Sequence, residues 1–274
     1  MASDSSDEQA LLDLLAGRSS AIELDRAALE IARIEYPDVD ADGCIAELDR
    51  HAWAIAERAG DLSDGARFVE AANAYLFGEA GFRGNEDDYY NPDNSCLNRV
   101  LETKLGIPIT LSVIYIEVAR RLAKPVHGVG LPFHFLVRYD DPGYTAIIDP
   151  FHGGAILDEA QCCQLLQVDS LDRTLLEPVD RRHIAMRMIN NLRAVYFGRR
   201  ESPKVLQVLD LLIAAEPDSP DEHRQRAAAL LHERRIAEAF AAFQRYLTLA
   251  PNAPDRERVE EQMRNIAFWI ASRN

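Results

Sequence analysis

The feature that most constrains this chain is a change of hydrophobic period between residues 108 and 148. From Pro108 to Leu122, apolar residues at 109, 111, 113, 114, 116, 118, 119 and 122 leave a helix-length segment apolar on most of its faces, as in a helix enclosed by other elements. Pro108 stands where a first helical turn tolerates a missing N–H, and Lys124-Pro125 ends the segment. The period then falls to two in three short runs rich in Val, Ile, Phe and Tyr: Val126 to Leu131, Phe133 to Tyr139 and Tyr144 to Ile148. Asp140-Asp141-Pro142-Gly143 supplies the turn between the second and third runs, and a capped helix is expected from near Asp158. The pattern predicts an α+β fold in which one buried helix packs on an antiparallel sheet.

Four parts follow along the chain. Residues 1–8 are rich in Ser and Asp and are expected to be disordered. Residues 9–90 read as an acidic helical subdomain, with helices around Leu11–Leu15 and Ala27–Ile34 and over Cys44–Arg58 and Ala66–Leu76. Gly78 to Asn94 is dense in Gly, Asn and Asp, the chemistry of a long ordered loop suited to the rim of a site. Residues 91–180 hold the α+β core, entered through a short helix capped by Ser95. Residues 181–274 are helical, and Glu216-Pro217-Asp218-Ser219 recurs 34 residues later as Ala250-Pro251-Asn252-Ala253, the tetratricopeptide period. Ala227, Ala239 and Phe243 fall at packing positions of the second copy, and Val205 and Leu209 at those of the first, with a further helix ending near Trp269. Two degenerate repeats can present a concave groove or buttress the neighbouring domain.

Charge and cysteine usage narrow the setting. The net charge is −15, and residues 1–95 carry 22 acidic residues against seven arginines, so the acidity belongs to the N-terminal third. Such a surface repels phosphate backbones, and direct nucleic-acid binding is not expected. No run approaches the roughly 18 apolar residues of a membrane span, and the acidic start is unlike a signal peptide. Cys44, Cys96, Cys162 and Cys163 lack CxxC spacing, and the adjacent pair is poorly placed to bond to itself, so reduced thiols in a cytoplasm are expected. With neither HExxH nor a Cys/His cluster, no metal and no cofactor is implied.

Three segments, NPDNSCLNRVLETKLGIP at 91–108, GVGLPFHFLV at 128–137 and IIDPFHGG at 147–154, together resemble a bacterial SirB-type family that joins a transglutaminase-like domain to tetratricopeptide repeats. The resemblance covers about residues 20–250 and implies a transglutaminase or papain-like core. In such enzymes a cysteine opens the buried helix, a histidine lies on the next strand, and an aspartate on the strand after it orients the histidine. The helix dipole favours the thiolate, and the carboxylate fixes the imidazole tautomer. His134 matches the histidine and Asp149 the aspartate, but counting back from Pro125 places Pro108 at the cysteine position.

Thr110, Ser112 and Cys96 are the remaining candidate nucleophiles, and Asn94, His152 and Tyr90 the candidate pocket residues. Each has a plainer reading. His134 can be a core histidine on the sheet face opposite Phe133 and Phe135, Asp149 can cap a turn, Asn91 and Asn94 can be turn or cap residues, and Tyr89-Tyr90 can pack a rim. The resemblance implies a non-catalytic interaction or regulatory module that engages a protein partner. The alternative is a cysteine, serine or threonine hydrolase or acyl transferase using His134 and Asp149.

Overall fold

The computed structural model describes residues 4–132 and 134–271. The chain opens with helices α1 (Asp4–Leu15), α2 (Leu24–Ala32), α3 (Ala41–Ala59) and α4 (Gly65–Asn73), the last running on through one π-helical stretch, Ala74–Glu79. Residues 4–8 thus begin a helix where disorder was expected. Residues 1–3 lie outside the described residues. Leu11, Leu14 and Leu15 are buried along one face of α1, and that amphipathic stripe orders the segment by packing against α2, not by the intrinsic preference of its Ser/Asp-rich start.

The core follows. A two-residue strand β1 (Arg83–Gly84) pairs in parallel with β2 (Leu105–Gly106), and between them lie a 3₁₀ turn (Pro92–Ser95) and helix α5 (Leu97–Thr103). Helix α6 (Pro108–Arg121) is the enclosed helix that the sequence predicts: every residue except Ile116, Arg120 and Arg121 is buried. Its neighbours are α2, α3, α5 and the sheet. Its one buried acid, Glu117, bonds Arg120 at 2.8 Å and Arg121 at 2.9 Å, while burial and nearby Asp25 raise its pKa to about 7.

Strands β3 (Val126–Val129), β4 (Leu136–Asp141), β5 (Tyr144–Asp149), β6 (Ala155–Leu157) and β7 (Pro178–Val179) form one antiparallel sheet in the order β6-β5-β4-β3-β7. Asp141 closes the β4–β5 hairpin by accepting from the N–H groups of Gly143 and Tyr144, both at 2.7 Å. Alternation divides the sheet into two faces. Val137, Tyr139, Ala146 and Ile148 face the main core with α6, whereas Val129, Leu131 and Leu136 join a second cluster with Leu165 and Leu166 of helix α7 (Glu159–Leu166).

Two strands are shorter than their apolar runs. β3 stops at Val129 and β4 starts at Leu136, because Pro132 cannot donate to a ladder and the His134 N–H turns back to the Leu131 carbonyl at 3.2 Å. His134 therefore lies in the approach to β4 and not on it. Phe133, where that strand was expected to begin, lies outside the described residues.

Helices α8 (Arg181–Arg199), α9 (Ser202–Ala215), α10 (Pro220–His232), α11 (Ile236–Leu249) and α12 (Arg256–Ala271) complete the chain. The 34-residue echo is present in the backbone itself: Arg200 and Arg234 take φ of 59° and 57°. Glu216 (φ −136°, ψ 77°) and Ala250 (φ −123°, ψ 72°) end their helices alike. The α8–α9 and α10–α11 hairpins are thus successive repeats, with Val205, Leu209, Ala227, Ala239 and Phe243 all buried between helices. The first repeat also packs against α1 and α2, and Glu35 accepts there from Tyr196 Oη at 2.9 Å and Lys204 Nζ at 2.8 Å.

Candidate functional site

The loop at 85–96, the start of α6 and the turn at 149–154 meet at one end of the sheet. Asn94 organises the first of these. Its side chain donates to the carbonyls of Asp88 (2.7 Å) and Tyr89 (3.2 Å) and accepts from Asn85 (3.0 Å), and its own carbonyl accepts from Thr110 Oγ1 (2.7 Å). Asn91 caps the 3₁₀ turn by accepting from the Asp93 N–H at 3.1 Å. These asparagines hold loop and helix together, and their polar atoms face the protein.

The nucleophile candidates are placed as follows. Pro108 is the first residue of α6 and is buried. Thr110 Oγ1 donates within the Asn94 and Ile107 carbonyl pair and accepts from the Ile107 N–H at 3.1 Å, which closes a capping arrangement at the helix start. Ser112 is enclosed in α6, and its Oγ has no hydrogen-bond partner among the described residues. Cys96 is buried beside Glu35, Asp93, Arg99 and Lys204, and burial first, then Glu35 and Asp93, push its thiol well above the ordinary range. The charges acting on the His134 ring belong instead to Asp149, His152 and Arg187, a set with no member in common. None of the three candidates is hydrogen-bonded to His134.

Asp149, only 3% exposed, ends β5 and turns its carboxylate to the residues that follow it. Oδ1 accepts from the N–H groups of Phe151 (3.0 Å) and His152 (3.3 Å), and Oδ2 bonds His152 Nδ1 at 2.7 Å. The aspartate therefore orients His152 in place of His134, because the tight turn brings residue 152 under the carboxylate. The His152 side chain is 50% exposed, and Phe151 meets it edge-on at 5.2 Å. Phe151 in turn meets Tyr89 at 6.1 Å and fills the space beside Gly84, where a Cβ would stand 2.6 Å from its ring. Gly154 (φ +78°) completes the turn against Asn73 and Phe77, with Asn73 Nδ2 donating to its carbonyl at 2.7 Å.

His134 stands apart from these bonds. Its ring makes no hydrogen bond among the described residues, and it lines a cleft of about 730 Å³ with Pro132, Leu165, Leu166, Val168 and Leu175. That is the α7 side of the sheet, opposite the α6 face into which Phe135 packs. Burial lowers its pKa, and His152 and Arg187 act in the same direction against Asp149. Tyr90 is 69% exposed and leans on Tyr89 at 5.4 Å, a rim contact. Arg187 of α8, which the sequence pattern assigned to the helical tail, donates Nη2 to the His134 carbonyl at 2.6 Å. The pairing of Asp149 with His152 was not legible in the spacing Asp-Pro-Phe-His, since it depends on how tightly the turn closes, and no local signal placed Arg187 here. No group of three or more metal-ligating side chains occurs among the described residues. Nor is any helix among them long and apolar enough to cross a membrane.

Comparison with known proteins agrees with this architecture. The transglutaminase-like superfamily pattern matches residues 42–190, and a tetratricopeptide repeat pattern matches residues 192–264. The chain is similar to a UPF0162 protein of Xylella fastidiosa strain Temecula1, 35% identical over 240 residues and 85% of each chain. It is similar to Protein SirB1 of Salmonella typhimurium, at 24% over 246 residues, 88% of this chain and 90% of the other. It is also similar to part of human F-box only protein 21, at 33% over 163 residues, 55% of this chain and 26% of that one. No solved structure matches at a significant level.

Proposed function

The chain belongs to the transglutaminase-like superfamily and, with its UPF0162 and SirB1 relatives, to a SirB-type family, and from that premise we propose that it is a non-catalytic interaction module. The observation that carries this reading is the start of α6. Where the family's chemistry calls for a thiolate at a helix N-terminus, this helix offers buried Pro108, a Thr110 hydroxyl closed into a cap and a Ser112 hydroxyl sealed without a base. The pairing of Asp149 with His152 supports it further, since it removes the orienting group from His134.

The role follows from what the fold retains. A cleft with His134 on its wall, an acidic helical N-terminal part and two tetratricopeptide hairpins are surfaces for a protein partner. The likeness to a segment of F-box only protein 21 supports a domain that serves inside other architectures. Four unbridged cysteines support a cytoplasmic setting, and the acidity of residues 1–95 supports a partner other than nucleic acid.

The alternative is a hydrolase or acyl transferase using His134 and Asp149, and covalent labelling separates the two readings. The full chain is treated with a fluorophosphonate and with p-nitrophenyl acetate, and modified peptides are mapped by mass spectrometry. No stoichiometric modification of Thr110, Ser112 or Cys96 is expected. Modification of any of them that disappears in His134→Ala or His152→Ala sinks the non-catalytic reading.

A further inference from the structure

Three tyrosines of this chain are built into the same three-part unit of ring, cation and carboxylate. The Arg58 guanidinium lies 4.6 Å from the centre of the Tyr75 ring and pairs with Glu79. The Arg99 guanidinium lies 5.6 Å from the centre of the Tyr36 ring and pairs with Asp93 and Glu102. The Lys204 ammonium lies 5.3 Å from the centre of the Tyr196 ring and pairs with Glu35 and Glu201. The negative face of the ring and the carboxylate attract one cation together, so each makes the other's contact more favourable.

At Tyr89 and Tyr90 the ring and the carboxylates are present and the cation is missing. The two rings meet edge-on at 5.4 Å, with Tyr89 38% and Tyr90 69% exposed. Asp87, Asp88, Tyr89 and Tyr90 form one turn, Glu86 stands just before it, and all five are exposed. The carboxylate of Asp88 accepts from Asn91 Nδ2 at 3.0 Å, whereas those of Glu86 and Asp87 have neither a hydrogen bond nor an ion pair among the described residues. No described arginine or lysine stands over either ring. Arg83, on β1, is exposed and makes no ion pair among the described residues. Arg187 acts on the Tyr89 hydroxyl, but its guanidinium lies 5.4 Å from the centre of the Phe135 ring and donates to the His134 carbonyl.

We propose that the Tyr89–Tyr90 turn docks a partner protein through an arginine side chain, its guanidinium stacked on the Tyr90 ring and paired with Glu86 or Asp87. The proposal rests on the reading of the chain as an interaction module and names the chemistry of its partner. Arginine suits the place better than lysine, because a planar guanidinium lies flat on a ring while its edge still donates to a carboxylate. Tyrosine and arginine are also the side chains that most often anchor protein interfaces. An acidic peptide or a nucleic acid meets the same carboxylates as like charge.

The test uses the full chain labelled at its tyrosine rings, titrated with acetyl-Ala-Arg-Ala-Arg-Ala amide, with the same peptide carrying citrulline in place of arginine, and with its lysine counterpart. The arginine peptide is expected to bind about fivefold tighter than the citrulline peptide, with lysine between them, and to move the ring signals of Tyr89 and Tyr90. Tyr90→Ala is expected to weaken the arginine peptide about fivefold, as is Glu86→Gln combined with Asp87→Asn. Because the chain carries a net charge of −15, a control removes the same charge elsewhere. Glu57→Gln combined with Glu70→Gln, at exposed positions of α3 and α4, is expected to change binding less than about twofold. Equal binding of the arginine and citrulline peptides, equal weakening by the control pair, unmoved Tyr89 and Tyr90 signals, or no binding at millimolar peptide overturns the proposal. Any of these without covalent labelling leaves the non-catalytic reading standing, and labelling of Ser112, Thr110 or Cys96 overturns that reading instead.

Discussion

Asp149 commits both of its oxygens to its own turn, and this separates two residues that a catalytic reading treats as partners. Removing the carboxylate strands the N–H groups of Phe151 and His152 and frees the His152 ring. Asp149→Ala is therefore expected to lower unfolding free energy by about 1.5–3 kcal/mol, the range for bonds to a charged group. His134→Ala removes a ring that makes no hydrogen bond among the described residues and is expected to cost under about 1 kcal/mol. Urea titrations of the two variants check the contrast, and equal losses would show that His134 is a packing residue. The candidates His134, Asp149 and His152 were legible as residues with a role. Their pairing was not, because a bond from residue 149 to residue 152 or to residue 134 depends on how tightly the intervening turn closes.

At the scale of elements, α6 illustrates what a pattern reveals and what it hides. Its apolar positions announced enclosure, and Pro108 announced its start, both visible in the residues themselves. The use of Thr110 was hidden, because its bonding partner, the Asn94 carbonyl, lies 16 residues earlier on a loop brought in by the β1–β2 pair. Thr110→Val keeps the shape but removes the shorter bond of both that carbonyl and the Ile107 N–H, leaving them only their 3.4 Å bond to each other. A loss of about 1–3 kcal/mol is expected in urea unfolding, with Thr110→Ser recovering most of it. A loss confined to Thr110→Ser would contradict the capping role. The β3–β4 connection shows the opposite error, since an alternating run extended the predicted strand through His134 while Pro132 and the backward bond to Leu131 kept the chain out of the sheet.

At the scale of the molecule, the N-terminal helices, the core, both repeats and α12 share one hydrophobic cluster that includes Leu11 at one end and Ile266 at the other. Glu35 sits at the junction, bonded to Tyr196 and Lys204. Glu35→Ala leaves the fully buried Tyr196 hydroxyl without its acceptor, and a destabilisation of about 1–3 kcal/mol is expected. Hydrogen exchange should show the loss of protection concentrated in α8 and α9. Loss spread evenly over α10 to α12 would mean that the repeats do not lean on the N-terminal helices there.

The sequence alone determined the elements whose causes are local: the enclosed helix, the alternating strands, the Asp141 hairpin and the 34-residue period. Each is written in side-chain spacing and backbone propensity within a few turns or pleats. The tertiary structure decided which of those residues meet. It ordered α1 by burying its leucines, turned Asp149 to His152, sealed Ser112, and delivered Arg187 from the helical tail to His134. Such contacts join residues far apart in the chain, and their free energy comes from desolvation and close packing, which no local pattern records.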